Sequence, residues 1–434
     1  MVLSGNYSFA PIPLPILGVL QSPFANSPVA FANLFSASSS ITPPLHHSTL
    51  MNKTILNRRE MIRGSVALAA LAFAKCPLEL FGADPAADGG TLIPFLDQQP
   101  PGKMLRWEQL KTWITANEDI YFVSHYGVPE LETANWKVDF GGLMKKPRVF
   151  TLDELKARKN VTVTATLECG GNGAGAGFMG AIGNVKWTGT PLAPLLRECE
   201  PYKRGIELAF WGADEKAEKI RDKEYKQNFA RALNLNDVLK REDILLCWAM
   251  NGEPLPKGHG APLRLVVPGW FGIAWVKWLN RVEVLDRRLM TKYMAREYVT
   301  LRGEERGDKT IWRETSVGPM DLKSIVARAV RLANGDVRLT GAAWTDGTPL
   351  KKVELKIDDG AWVAVTLDKK QTAEYAWTFW SYDWKKPAEG EHTLVSRATD
   401  DEGRIQPAAE DPEIKLKKTY WEANEQHPRK IRIS

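Results

Sequence analysis

A cysteine at the end of a predicted strand, followed at once by a glycine-rich loop, constrains this 434-residue chain more than any other feature. Residues 161–169 read Val-Thr-Val-Thr-Ala-Thr-Leu-Glu-Cys, an apolar and β-branched run that predicts a buried strand ending at Cys169. Seven glycines lie between Cys169 and Lys186. Because glycine accepts positive φ, such a loop lets the backbone approach a ligand closely. A thiol placed there is a suitable donor for a soft metal.

A second segment carries complementary chemistry. It runs from Met250 through Asn-Gly-Glu-Pro-Leu-Pro-Lys-Gly-His-Gly-Ala-Pro-Leu-Arg to Gly269, and Val-Lys-Trp-Leu follows at 276–279. Together the two segments resemble the sulfite oxidase family of molybdenum–pterin oxidoreductases, over roughly residues 95–434. The resemblance implies an α+β, sulfite-oxidase-type molybdopterin-binding domain. It also implies one molybdenum held by a single pterin, and oxygen-atom transfer as the reaction.

The resemblance also assigns roles to individual residues. Cys169 matches the family's metal-ligating cysteine. The positions that contact the pterin in the family are matched by His125, Asp214, His259, Arg264 and Lys277. Arginine and lysine suit the cofactor's phosphate, and the N–H groups of a glycine-rich turn form an anion-binding nest. A loop histidine that stabilises a turn remains an alternative for His259, and a solvated strand residue remains one for Lys277.

The expected substrate pocket departs from the family pattern. Val123 and Ala174 stand where the family has arginines, and Trp248 stands where a tyrosine is expected. The arginine that the C-terminal domain usually contributes has no counterpart near residues 375–380. A doubly charged oxyanion needs such cations to offset its desolvation. Trp248 is therefore either a catalytic-pocket residue that suits a larger, less charged substrate, or a core residue. The candidates to restore positive charge are Lys186, Arg204 and Arg221.

Three functions remain open from the sequence. The first is oxidation of sulfite or sulfane sulfur, with electrons passed to an external carrier such as a cytochrome. The second is reduction of sulfoxides or similar oxo donors in the periplasm on the same cofactor. The third is a non-catalytic partner subunit that binds the cofactor. No Cys-x-x-Cys-His motif occurs, so no haem is expected to be attached to this chain.

The remaining cysteines and the charge exclude other classes of protein. The four cysteines form no Cys-x-x-Cys pair, which argues against zinc and iron–sulfur sites. Cys199 and Cys247 are predicted to be buried thiols rather than a disulfide, and Cys76 to leave with a signal peptide. The net charge of +6 is spread along the chain without a basic stripe, so nucleic acid is not expected as a partner.

The N-terminal region predicts export. Asn57-Arg-Arg-Glu-Met-Ile-Arg63 precedes an apolar run at 66–74, which is typical of a twin-arginine signal and a periplasmic destination. The run is too short to span a bilayer stably, so signal cleavage is favoured over a membrane anchor. We therefore interpret 1–50 as a gene-model extension or disordered segment, 51–82 as the signal and 83–102 as a linker or surface arm.

Two domains are predicted after the linker. Residues 103–315 mix helical and strand patterns, including a short helix at 151–158 capped by Thr151 and strands at 264–267 and 275–285. Residues 316–434 show short alternating strands at 336–344, 352–357 and 392–398. Turns are marked by Asn334-Gly335, Asp346-Gly347, Asp359-Gly360 and Glu402-Gly403. This pattern predicts an antiparallel β-sandwich. The family resemblance implies that it is immunoglobulin-like and forms a homodimer.

Overall fold

The computed structural model describes residues 90–97, 102, 104–173 and 179–434. The described residues all belong to one compact unit. The predicted extension (1–50), the signal (51–82), Cys76 and Ala174 lie outside the described residues. Among the helices of the described ranges, none combines the length and apolar character needed to cross a membrane.

Strands dominate the described residues, and the helices are few and short. The strands are β1 (Thr91–Ile93), β2 (Lys137–Gly142), β3 (Arg148–Thr151), β4 (Val161–Glu168), β5 (Ile182–Pro191), β6 (Glu207–Ile220), β7 (Lys223–Asn234), β8 (Leu245–Met250), β9 (Glu253–Pro254), β10 (Arg264–Val266), β11 (Leu279–Leu285), β12 (Val299–Arg306), β13 (Lys309–Ser316), β14 (Lys323–Arg331), β15 (Val337–Trp344), β16 (Leu350–Ile357), β17 (Val363–Ala364), β18 (Thr366–Leu367), β19 (Thr378–Trp384), β20 (Gly390–Asp400) and β21 (Arg429–Ile433). The α-helices are α1 (Leu152–Ala157), α2 (Leu192–Cys199), α3 (Leu235–Lys240), α4 (Lys292–Ala295) and α5 (Pro412–Lys415).

Two five-stranded sheets form most of the first part of the molecule. One has the order β10-β8-β5-β4, with β9 paired to β8, and all its pairings are antiparallel. The other has the order β3-β2-β11-β6-β7, in which only β2 and β11 run parallel. The strand β4 ends at Glu168, as the sequence predicts, so Cys169 is the first residue beyond it. The predicted strand at 275–285 begins only at Leu279, because Trp278 adopts φ 50° and breaks the extended backbone.

The helix predicted at 151–158 is confirmed as α1. The Thr151 side chain accepts a hydrogen bond from the backbone N–H of Glu154, at 3.1 Å. The Glu154 carboxylate, which would complete a capping box, instead bonds Arg148 and Arg158. The cap therefore consists of one hydrogen bond, and the glutamate is used to join β3 to the end of the helix.

The second part contains two antiparallel sheets that share a core. Their orders are β1-β14-β15-β19-β18 and β17-β16-β20-β21. Residues from both sheets, including Val326, Leu339, Leu355, Leu394 and Trp380, form one buried cluster. The glycines of three predicted turns, at 335, 347 and 403, have positive φ. The coarse prediction of β-rich architecture here is confirmed.

The segment predicted as a linker is partly built into this second part. The strand β1 pairs with β14 through Thr91 and Arg331, and Phe95 forms a bridge with Ile431. Ile93 and Phe95 are buried in the shared core. A surface arm is therefore the wrong description for these residues, because their apolar side chains complete a sheet and its core.

Two tryptophans, one buried and one half-buried, connect the two parts. Trp377, beyond β18, is fully buried and donates its Nε1–H to the carbonyl of Trp113, at 2.9 Å, while Trp113 donates in return to the carbonyl of Trp377. The backbone N–H of Trp377 also donates to the Thr166 hydroxyl on β4. The strand that delivers Cys169 is thus bonded directly to the second part.

We expect Thr151→Ala to lower the free energy of unfolding by about 1 kcal/mol, because it removes the α1 cap. Thr151→Ser keeps the hydroxyl acceptor and is the matched control. Urea unfolding followed by circular dichroism measures both variants. Equal stability of the alanine and serine variants would show that this cap contributes nothing.

Candidate functional site

Six of the seven predicted site residues line one cleft, which is open to solvent and has a volume of about 650 Å³ when its open mouth is included. They are Cys169, His125, Asp214, His259, Arg264 and Lys277. The walls between them are largely aromatic and apolar, and include Tyr121, Phe122, Leu167, Phe229, Trp275 and Tyr298. The structure thus brings together residues that lie up to 152 positions apart in the sequence, from His125 to Lys277.

Cys169 is fixed by its backbone at one end of the cleft. Its N–H donates to the carbonyl of Ala181 and its own carbonyl accepts from Asn172, both at 2.9 Å. The side chain is a free thiol and only 9% of the residue is exposed. Burial is the main cause that raises the pKa of this thiol. A bound metal ion would favour the thiolate instead, because metal ligation requires the deprotonated sulfur.

Arg264 opens β10 and is 2% exposed. Its guanidinium donates to the carbonyls of His259, at 3.0 Å, and Trp275, at 3.2 Å. It also lies over the ring of Trp187, 4.9 Å from the centroid, and its Nε has no hydrogen-bond partner. Burial lowers the pKa of Arg264 to about 10, so it remains charged at neutral pH.

Lys277 reaches the cleft from the irregular segment between a 3-10 turn, Gly272–Ala274, and β11. Its ammonium donates to the carbonyls of Val123, at 2.8 Å, and Gly258, at 3.0 Å. Gly260 has φ 105°, and a Cβ there would lie 3.0 Å from the Lys277 Cβ. The glycine therefore allows the histidine-bearing turn to pack closely against Lys277. The alternative of a solvated strand residue is wrong for Lys277.

Asp214 lies on β6, where the pairing with β7 is irregular between Trp211 and Glu215. Its Oδ1 is buried and has no hydrogen-bond partner. Burial raises the pKa of the Asp214 carboxyl to about 6. An unpaired buried acceptor is costly, so this oxygen fits a ligand that brings N–H donors.

Both cleft histidines are neutral at pH 7. Burial, reinforced by neighbouring positive charge, lowers the pKa values of His125 and His259 to about 4. His125 stacks on Tyr293, with ring centroids 4.5 Å apart, and its Nε2 lies 3.2 Å from the Tyr298 hydroxyl. Neutral imidazoles can both donate and accept hydrogen bonds, which suits the polar rings of a pterin.

Tyr298 is the site residue that the sequence reasoning missed. It lines the cleft, bonds His125 and stacks on Trp421 with ring centroids 4.0 Å apart. Burial is the first cause that raises the Tyr298 pKa, followed by the charge of Cys169. No motif marks this residue, because it follows an irregular segment and enters the cleft with φ 55°. The family pattern predicts a tyrosine in the pocket near position 248. In this chain Tyr298 lines the pocket, and no residue near 248 does.

Trp248 does not line the cleft, so the prediction of a catalytic role finds no support in its position. It sits at a register shift in β8, half-buried against the main core, which matches the alternative of a packing residue. The three cations considered as replacements, Lys186, Arg204 and Arg221, are all exposed and also lie outside the lining. Val123 does line the cleft and lends its carbonyl to Lys277.

The charges of the cleft fit an anionic, phosphate-bearing cofactor with a soft metal. Within the described ranges, neither Arg264 nor Lys277 forms an ion pair, and both donate hydrogen bonds to backbone carbonyls. A buried cation without a counter-charge is unfavourable, so an anion such as a phosphate would relieve both residues. The thiol of Cys169, the free acceptor of Asp214 and the neutral histidines complete a suitable donor set.

Comparisons with known proteins agree with this donor set. Residues 125–293 match the oxidoreductase molybdopterin binding domain, and residues 317–421 match the Mo-co oxidoreductase dimerisation domain. The chain belongs to the sulfite oxidase family of molybdopterin oxidoreductases. The family's cofactor is accordingly the molybdenum–molybdopterin group for which the cleft residues provide donors.

The sequence identity to individual relatives is low, but the matched segments are long. Mitochondrial sulfite oxidase of Drosophila melanogaster is 26% identical over 350 residues, which are 72% of this chain and 58% of that protein. The human mitochondrial sulfite oxidase is 26% identical over 75% of this chain and 64% of its own length. The chain thus spans less than two thirds of these relatives. A structure of the sulfane dehydrogenase SoxCD from Paracoccus pantotrophus has a TM-score of 0.64 and 25% identity, covering 82% of this chain and 93% of that one.

We expect Lys277 to contribute a gain in the stability of the cofactor-free protein as pH rises from about 7 to about 10.5. Burial, followed by the charge of Arg264, lowers the Lys277 pKa from 10.5 to about 7. Between these values the unfolded chain binds more protons than the native state, so the free energy of unfolding increases with pH.

Denaturant unfolding at several pH values measures this effect in wild type and in Lys277→Met. The free energy of unfolding should increase less with pH in Lys277→Met, so its slope against pH should be smaller than that of wild type. Lys186→Met, on the exposed side of β5, should keep the wild-type slope. A Lys277→Met slope equal to that of wild type would contradict the assignment.

Proposed function

We propose that this chain is an oxidoreductase that uses a molybdenum cofactor to add an oxygen atom to a small sulfur substrate. The observation that carries the proposal is the convergence of a buried thiol, Cys169, with the buried Arg264 and the half-buried Lys277 in a single cleft. A soft donor beside uncompensated positive charge suits a metal held by sulfur on a phosphorylated organic group.

The protein's own residues have separate tasks in this reaction. When bound, the molybdenum cofactor supplies two-electron redox chemistry, and the protein orients and encloses it. Cys169 would hold the metal, and Arg264 and Lys277 would hold the phosphate. His125, His259 and Asp214 would bond the polar rings, using the neutral imidazoles and the free Oδ1 acceptor. Overall, the substrate sulfur gains an oxygen atom from water, and two electrons and two protons are released.

A sulfane sulfur is favoured over sulfite as the substrate. Val123 lines the cleft at the position where the family pattern has an arginine, and Lys186, Arg204 and Arg221 do not line it. A sulfite dianion would therefore meet fewer cations to offset its desolvation. Among the relatives, the sulfane dehydrogenase SoxCD supports this class, whereas the sulfite oxidases support sulfite.

We expect a higher kcat/KM for a sulfane-sulfur substrate than for sulfite when ferricyanide accepts the electrons. The physical reason is the smaller charge that the substrate must bring into an apolar cleft. Steady-state assays on molybdenum-loaded protein, with a protein persulfide compared against sulfite, measure the ratio. Efficient sulfoxide reduction with no sulfur oxidation would instead support the reductase.

We expect Cys169→Ala to remove most of the bound molybdenum, because the thiolate is the protein's ligand to the metal. Cys199→Ala is the matched control, since Cys199 is an equally buried free thiol on α2, outside the cleft. Elemental analysis of both proteins, made in a host that synthesises the cofactor, measures molybdenum per chain. Full molybdenum content in Cys169→Ala would overturn the role of this thiol.

Export, dimer formation and electron transfer complete the proposal. The Arg58-Arg59 pair before an apolar run supports twin-arginine export to the periplasm, a route that carries folded proteins and so suits a cofactor-loaded enzyme. The match of residues 317–421 to a dimerisation domain supports a homodimer. The two sheets of this part support an immunoglobulin-like sandwich, since both are antiparallel and share one core. The external electron carrier proposed here is a cytochrome.

A further inference from the structure

An ion pair is buried directly beside the cysteine of the cleft. Glu168, the residue before Cys169, is 0% exposed, and Lys323, the first residue of β14, is 2% exposed. The Lys323 ammonium lies 2.6 Å from Oε1 of Glu168. Neither Glu168 nor Lys323 lines the cleft.

Every polar atom of this pair has a further partner. Oε2 of Glu168 accepts a hydrogen bond from Nε1 of Trp344, at 2.8 Å. Oε1 also accepts from the side-chain amide of Asn172, at 3.0 Å, and Lys323 donates to the Asn172 carbonyl, at 3.3 Å. Lys323 and Trp344 face each other across β14 and β15, so two adjacent strands present both donors to one carboxylate.

These bonds hold the chain on both sides of Cys169. Glu168 precedes the cysteine by one residue, and Asn172 follows it by three. Asn172 is itself tied to the backbone of Ala181 through its Oδ1, at 3.0 Å, and Cys169 bonds the same residue's carbonyl. Side-chain bonds therefore fix the turn that carries the thiol to the second part of the molecule. Hydrogen bonds to Ala181, the residue before β5, fix the other side of the turn.

Stability alone does not account for a pair in this position. Replacing a buried ion pair by apolar or neutral groups of similar volume is often neutral or stabilising, whereas removing one partner is strongly destabilising. A fully bonded pair does, however, fix one arrangement of the groups that it joins. The group joined here is the turn that ends the cysteine strand.

We propose that Glu168 and Lys323 are positioning residues that set the orientation of the Cys169 sulfur toward the metal. Through this pair, β14 and β15 of the segment matched as a dimerisation domain determine the geometry of a ligand in the cofactor-binding segment. The inference rests on the proposed function, because it requires that Cys169 ligate molybdenum.

The test compares Glu168→Gln, Lys323→Met and the double variant in the full chain. We expect each single change to lower the melting temperature and the molybdenum content, because it leaves a buried polar or charged group without its partner. The double variant should regain both, since it buries no unpaired charge. Its Mo(V) electron paramagnetic resonance spectrum should still differ from that of wild type, because the Asn172 carbonyl has lost the Lys323 donor.

A matched control separates positioning from stability. Arg429 is also buried and pairs with Asp97 and Glu108, and it does not line the cleft. Arg429→Met should lower the melting temperature and leave the Mo(V) spectrum unchanged. Trp344→Phe removes the hydrogen bond to Oε2 together with part of a buried ring that stacks on Trp107. It gives a second positioning variant and should also change the spectrum.

The outcomes are distinct. A molybdenum-loaded double variant and Trp344→Phe, both with the wild-type spectrum, would overturn the positioning role and leave the proposed function intact. Wild-type protein without molybdenum would overturn the proposed function and this inference together. A changed spectrum in the double variant and in Trp344→Phe, with no change in Arg429→Met, supports the inference.

Discussion

Burial of positive charge without a carboxylate partner is the constraint that organises the cleft. Arg264 and Lys277 are held by backbone carbonyls, and aromatic rings cover them, with Trp187 beside Arg264 and Phe122 beside Lys277. Carbonyl dipoles and ring faces stabilise a cation only in part. The two positive charges therefore favour the binding of an anion in the cleft. The irregular backbone of residues 256–278 places both side chains there.

Much of this could be predicted from the sequence, since the informative patterns are local. The run that ends at Cys169 has the composition of a buried strand. The dipeptides Asn334-Gly335 and Asp346-Gly347 mark turns. The six cofactor positions follow from two ordered motifs and shorter matches, and the structure places all of them in one cleft.

Tertiary contacts decided the rest, and no local pattern reports them. Tyr298 enters the cleft because His125 and Trp421, 173 and 123 residues away, supply its partners. Trp248 follows a strand pattern that says nothing about which face meets the cleft, and a register shift turns it toward the core. Lys277 lies in a region of alternating residues, yet Trp278 breaks the strand there. In each of these three cases an irregularity of the backbone decides where the side chain lies, and the sequence pattern does not show that irregularity.

The pairing of β1 with β14, and the bridge from Phe95 to Ile431, have a consequence for biosynthesis. The first described strand completes a core that also needs β21, which lies at the far end of the described residues. Contacts between chain positions so far apart form late and slowly. The sheet that contains Lys323 thus cannot close around its core until β21 has been synthesised. Closure of this core, and with it the placement of Lys323 beside Glu168, is therefore expected to follow the synthesis of the described strands and not to accompany it.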